Sequence, residues 1–174
     1  MNVVQELAAR TLLVILAAAV VQDFMYMKIS NRLILMGILF SLAFGLTTGG
    51  PKQVIYVLAN LSFPVIVLYL LYLLGVLGAG DIKLFSIIGG FTNFRLLISC
   101  MFFSFVAAAV IAVCKMLYNR NFCGSLLRAG TYFRCLRQEG IVSYHKEWAE
   151  HRNLMHFSVA ILIGYIAAVA VPVL

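Results

Sequence analysis

Residues 54–77 read VIYVLANLSFPVIVLYLLYLLGVL and hold no charged side chain. A helix needs about 20 apolar residues to cross a bilayer core, since each adds only about 1.5 Å and every backbone N–H and C=O must be paired within the segment. This run therefore sets the chain among helical membrane proteins. Working outward, comparable apolar stretches fall at residues 7–27, 33–48, 96–118 and 154–174, with a shorter one at 82–91. The short stretch spans only if its ends extend through Gly80 and Asn93, or if neighbouring helices thin the bilayer around it. The expected fold is all-α: a polytopic membrane protein of about six transmembrane helices.

Composition agrees. Of the 174 residues, 64% are hydrophobic and 11% charged, against about 45–50% and 25% in a soluble domain. The net charge of +7 does not point to nucleic acid, because the cations lie between the apolar runs, where they set orientation in the bilayer. With the amino terminus outside, Lys28, Arg32, Lys83, Lys115, Arg120, Arg128, Arg134, Arg137, Lys146 and Arg152 fall on the cytoplasmic side, and only Arg10, Lys52 and Arg95 fall outside. That bias predicts both termini outside. Arg10 ahead of an apolar run that ends near Ala17, Ala18 and Ala19 also has the outline of a cleavable signal peptide, but a retained first span is the expectation.

Residues 119–153 form the one long polar stretch, a basic cytoplasmic insert between spans five and six. Leu126, Ala129, Tyr132, Phe133 and Leu136 share one face of a helix drawn through it, which predicts an interfacial amphipathic helix on the inner leaflet. Leu127 breaks that face, so a solvated basic loop is an equal reading. The four cysteines, Cys100, Cys114, Cys123 and Cys135, make no Cys-x-x-Cys pair and lack a His-x-x-x-His partner, so neither a metal site nor a disulfide framework is expected.

The acids carry the most information. Asp23 and Asp81 are the only aspartates, and both sit in or at the ends of apolar spans. A carboxylate there costs about 2.5–3.5 kcal/mol even on insertion scales, so it requires a partner or a task. By topology both lie near the inner face. Side by side, they could share one proton, because neighbouring like charges hold one carboxyl protonated while the other ionises. An ionised carboxylate can then take a proton from attacking water while its protonated neighbour polarises a peptide carbonyl.

Ahead of Asp81, Gly75, Gly78 and Gly80 weaken the helix and permit close approach of an extended substrate strand, which a helical peptide bond would not allow. Tight helix packing or a plain turn explains the same glycines, and packing is the expected role of Gly89 and Gly90. Lys83 is expected to mark the lipid interface or pair with Asp81 rather than to act in chemistry.

Gly78-Ala79-Gly80-Asp81-Ile82-Lys83-Leu84 resembles the Gly-x-Gly-Asp-x-Lys-Leu signature of the type IV prepilin peptidases, bacterial membrane aspartyl proteases. Asp23, followed by Lys28-Ile29-Ser30-Asn31-Arg32-Leu33, is similar to that family's first aspartate and its Ile-Pro-Asn-x-Leu stretch, with Ser30 where proline is usual. His156 to Gly164 resembles the family's last span, with its Phe-x-x-Ala-x-x-x-Gly pattern. The chain's size matches the short members associated with tight-adherence (Flp) pili.

This resemblance implies a single membrane-embedded peptidase domain over residues 1–174, in a bacterial inner membrane with its active site facing the cytoplasm. Asp23 and Asp81 would be catalytic, Gly78, Gly80 and Lys83 would form the active-site loop, and no metal or cofactor would be needed. The implied substrate is an Flp-type or type IV-like prepilin whose leader is cleaved. Methylation of the new terminus is not expected, because the paired Cys-x-x-Cys motifs linked to it are absent from these residues. Lys28, Arg32 and Lys83 would repel a basic leader, so they are expected to contact anionic lipid head groups.

Three other classes remain to be weighed. A small proton-coupled transporter predicts midplane acids and inverted repeats, and neither is found in the sequence. A membrane assembly subunit of a pilus or secretion system would use the aspartates only to hold helices together. A presenilin-type protease shares the chemistry, but its first acid usually follows a tyrosine, and here Gln22 precedes Asp23.

Overall fold

The computed structural model describes residues 3–27, 29–74, 76–118 and 157–171. Among them it contains five helices: α1 (Val3–Tyr26), α2 (Asn31–Leu73), α3 (Ala79–Phe91), α4 (Phe94–Tyr118) and α5 (Phe157–Ala170). The chain divides into two compact units. The first, Met1–Ala107 with His156–Leu174, carries everything described below except the last turns of α4. In the second, Ala108–Met155, only those turns are described, so the insert at 119–153 and its amphipathic helix lie outside the described residues.

Three helices are long and apolar enough to cross a membrane: Glu6–Tyr26 within α1, all of α2, and Phe94–Lys115 within α4. Each leaves most of its apolar surface uncovered by the rest of the protein. In water such a surface would drive aggregation, whereas a lipid environment solvates it.

The expected count of about six separate spans is not met among the described residues. The apolar runs at 33–48 and 54–77 belong to one element, and α3 and α5 hold only 13 and 14 residues. As a straight rod, the 43 residues of α2 would extend about 65 Å, twice the thickness of a bilayer core. Instead, α2 breaks at Gly50, whose φ of 66° and ψ of −156° lie in a region essentially reserved for glycine. Pro51 follows, with its fixed φ suited to the first position of a new helix.

The two limbs of α2 turn back on each other. A Cβ placed on Gly45 would lie 3.0 Å from Val57 Cγ2, although a straight helix would separate these positions by about 18 Å. α2 is thus a helical hairpin whose limbs correspond to the second and third apolar runs.

α3 is the buried centre of the fold. Leu84, Phe85, Ile87 and Ile88 are almost wholly enclosed, and α3 packs against α1, α2 and α5. Both limbs of α2 hold it. A Cβ on Gly90 would meet Ser41 Oγ at 2.6 Å and Leu61 Cδ1 at 3.5 Å, and one on Gly89 would meet the Asn60 carbonyl oxygen at 2.5 Å. The expected packing role of these two glycines is therefore what the structure shows. Asn60 also donates through Nδ2 to the Thr92 carbonyl at 3.2 Å, fixing the far end of α3. Enclosure by the surrounding helices explains how a helix too short to cross lipid unaided can sit within the bundle, since its backbone ends are met by protein groups rather than hydrocarbon.

Local chemistry sets the helix boundaries. α1 ends at Met27, whose φ is 52° and whose N–H bonds to the Asp23 carbonyl at 2.9 Å; this is the left-handed cap usually given to glycine. Ser30 caps α2, its hydroxyl accepting from Arg32 N at 3.3 Å. The helical run expected to reach residue 77 stops at Leu73, and α3 begins after Gly78, so the glycine-rich stretch is where the chain leaves one helix and enters the next.

Candidate active site

Asp23 occupies the last turn of α1, and Asp81 the first turn of α3. In α3, Gly78 is the N-cap and Asp81 stands three residues on. The Asp81 carboxylate reaches back through Oδ2 to accept from Gly78 N at 3.3 Å. This is one half of a capping box, and glycine has no side chain to supply the other half. A carboxylate at this position is favoured by the unpaired N–H groups and the positive end of the helix dipole. The glycine before it also keeps the loop tight, because a Cβ on Gly78 would lie 3.1 Å from Asp81 Oδ2.

The loop between α1 and α2 gathers the surroundings of both acids. Gln22, adjacent to Asp23, accepts through Oε1 from Ser30 N at 3.0 Å. Ile29 packs so closely on Gly80, next to Asp81, that a Cβ there would lie 3.2 Å from its Cδ1. Asn31 accepts through Oδ1 from Lys83 Nζ at 3.0 Å. Residues 29–31 therefore touch the neighbours of Asp23 on one side and of Asp81 on the other, so both acids stand at one end of the bundle. Lys83, expected to mark the interface or pair with Asp81, is exposed and donates to Asn31. Gly78 and Gly80 supply the close approach at the start of α3.

Ser30, where proline is usual in the resembled stretch, has a φ of −65°, the value a proline ring would impose. Its N–H, which proline lacks, is the group that bonds Gln22. Serine thus takes a φ that proline would also take, and its N–H adds a tie to the turn that carries Asp23.

Ser158 has no role in the sequence reading. It is buried, and its Oγ donates to Asp23 Oδ2 at 2.6 Å. Beside it, Phe157 closes an aromatic trio with Phe85 and Phe105, with ring centroids 5.9–6.3 Å apart. Phe85 lies one helical turn beyond Asp81, so this trio joins the helices that carry Asp81 and Ser158. One signal was available: a serine in a span whose only other polar side chains are His156 and Tyr165, where an unpaired polar group is costly. No group of His, Cys, Asp and Glu able to hold a metal occurs among the described residues.

The model of the type IV leader peptidase family matches residues 11–113, which is more than half of the chain and includes both aspartates. The chain belongs to the type IV leader peptidase family. This leader peptidase is accordingly a membrane protease, and its substrates are of the prepilin class in general. No curated protein and no solved structure matched it significantly. Ser158 and the rest of α5 lie beyond the residues matched to the leader peptidase model.

Proposed function

We propose that this leader peptidase is an aspartic-type endopeptidase in which Asp23 and Asp81 act as a dyad on the leader of an Flp-type or type IV-like prepilin, at the cytoplasmic face of a bacterial inner membrane. The observation that carries this reading is the convergence of the last turn of α1 and the first turn of α3 on residues 29–31. The chain's two aspartates stand on those turns.

Hydrolysis needs one carboxylate and one carboxyl. The ionised member takes a proton from water as the water oxygen bonds to the scissile carbonyl carbon, while the protonated member donates to the carbonyl oxygen. The tetrahedral adduct then collapses with loss of the C–N bond. The departing amine takes up the proton lifted from water, and the carbonyl re-forms as its hydroxyl proton returns to the second carboxylate. Water has then been added across the bond and both acids are restored. Gly78 lets the loop close on the Asp81 carboxylate and Gly80 admits Ile29 beside it, and Lys83 with Asn31 closes that edge of the loop.

In this reading the two limbs of α2 cross separately, so that with α1, α3, α4 and α5 the chain passes the bilayer about six times. Lys28, Arg32 and Lys83 meet anionic head groups on the inner leaflet. The residues hold no Cys-x-x-Cys pair, which supports cleavage without methylation.

Co-expression with candidate prepilins, followed by sizing of the leader-bearing and mature forms, tests the proposal. Wild-type protein should yield mature pilin, and Asp23→Asn and Asp81→Asn should each remain in the membrane with the leader uncut. Full cleavage by either variant, with the asparagine shown intact by mass spectrometry, would overturn the dyad. Loss of membrane assembly in both would favour a scaffold.

A further inference from the structure

We infer that Ser158 is a positioning residue for the reaction, holding one oxygen of the Asp23 carboxylate and so fixing the orientation in which the group meets the reacting water. The inference rests on Asp23 being one of the catalytic pair.

Helical serines in this protein ordinarily spend their hydroxyl on their own backbone. Ser41, Ser62, Ser86 and Ser104 each donate to a carbonyl three or four residues earlier in the same helix. That is the default in an apolar setting, where it leaves no donor unpaired. Ser158, the second residue of α5, has no earlier turn of that helix to take such a bond, and it donates to a carboxylate on another helix, 135 residues away in sequence, at 2.6 Å. A bond this short from a hydroxyl to a carboxylate is of the charge-assisted kind, stronger than a neutral pair.

Its surroundings hold it in place. Ser158 is 1% exposed. Phe157 fixes the start of α5 against Phe85 and Phe105, and six residues further on Gly164 lies against Ser104 of α4. α5 also packs directly on α1. A carboxylate turns about its terminal torsion through a broad, two-fold well. Tying Oδ2 to a buried donor selects one orientation, and catalysis by a carboxylate depends steeply on such orientation.

The test uses the full-length protein in vesicles with a leader-bearing prepilin, reading kcat and KM separately together with thermal stability. Ser158→Ala should lower kcat about 10- to 100-fold, as expected for a lost hydrogen bond to a charged group, while KM stays within about twofold. Ser158→Thr, which keeps the hydroxyl, should restore most of kcat. Ser158→Val, of the same shape as threonine without the hydroxyl, should not. The Thr and Val pair decides the matter if the alanine variant does not fold.

Wild-type kcat in Ser158→Ala, or equal kcat in the Thr and Val variants, would overturn the inference. The outcomes separate it from the dyad reading. If Asp23→Asn is inactive and Ser158→Ala is fully active, only the role of Ser158 fails; an active Asp23→Asn removes the dyad and the role of Ser158 together.

Discussion

Replacing Gly164 with alanine probes how helix packing reaches the proposed chemistry. Gly164 lies against Ser104 so closely that an added Cβ would sit 2.5 Å from the Ser104 backbone nitrogen and 2.7 Å from its Cα, with the Ser104 hydroxyl closer still. Ordinary contacts between such atoms are about 3.5–4.0 Å, so α4 and α5 must separate by about 1 Å. The obstruction is backbone, which cannot swing aside. Ser104 is itself fully buried, with its hydroxyl bonded to the Cys100 carbonyl at 2.7 Å.

Overpacking of this kind costs about 1–3 kcal/mol. A shift of about 1 Å in α5 also carries Ser158 out of register with Asp23, and misplacement of that size can lower a rate about 100-fold. The assay is leader cleavage by purified protein alongside thermal unfolding in the same detergent. Ile163→Ala, on the exposed side of the same turn, should change stability by no more than about 0.5 kcal/mol and leave kcat intact. Gly164→Ala should lose both stability and kcat. A Gly164→Ala protein that is destabilised but cleaves at the wild-type kcat would refute the coupling between the α4–α5 contact and the Asp23 carboxylate. Wild-type stability would refute the close approach itself.

Other perturbations probe separate links. Gly50→Ala should destabilise the hairpin by about 1–3 kcal/mol, because alanine is strained at a φ of 66°; unchanged unfolding would mean the break lies elsewhere. Met27→Gly should stabilise by about 0.5–1 kcal/mol by relieving the left-handed cap, since the Met27 side chain is largely exposed and little packing is lost; a lower melting temperature would show that the side chain matters more than the backbone. Because the proposed dyad supplies both base and acid, cleavage should persist with chelators and with serine or cysteine reagents. Its rate should follow a bell-shaped pH curve belonging to the pair, and inhibition by a chelator, reversed by added metal, would contradict that mechanism.

Helix type and membrane character were legible in the sequence because lipid imposes a one-dimensional rule: a long uncharged run must pair its backbone within itself. Asp23 and Asp81 stood out for the same reason, since a carboxylate beside such runs is costly wherever the helices lie. Gly75, Gly78 and Gly80 marked a weak point in the helical run, although that run was expected to reach residue 77 and stops at Leu73.

Tertiary structure decided the rest, because the deciding contacts join residues far apart in the chain. Hydropathy could not reveal that the runs at 33–48 and 54–77 are limbs of one hairpin, which depends on the backbone torsions of Gly50. Nor could it show that the 13 residues of α3 suffice, which follows from their enclosure by α1, both limbs of α2, and α5. Ser158 reads in sequence as a stray hydroxyl in an apolar span. Its bond to Asp23 exists only because α5 packs on α1, and close packing between helices is set by which small side chains face each other, as Gly164 faces Ser104.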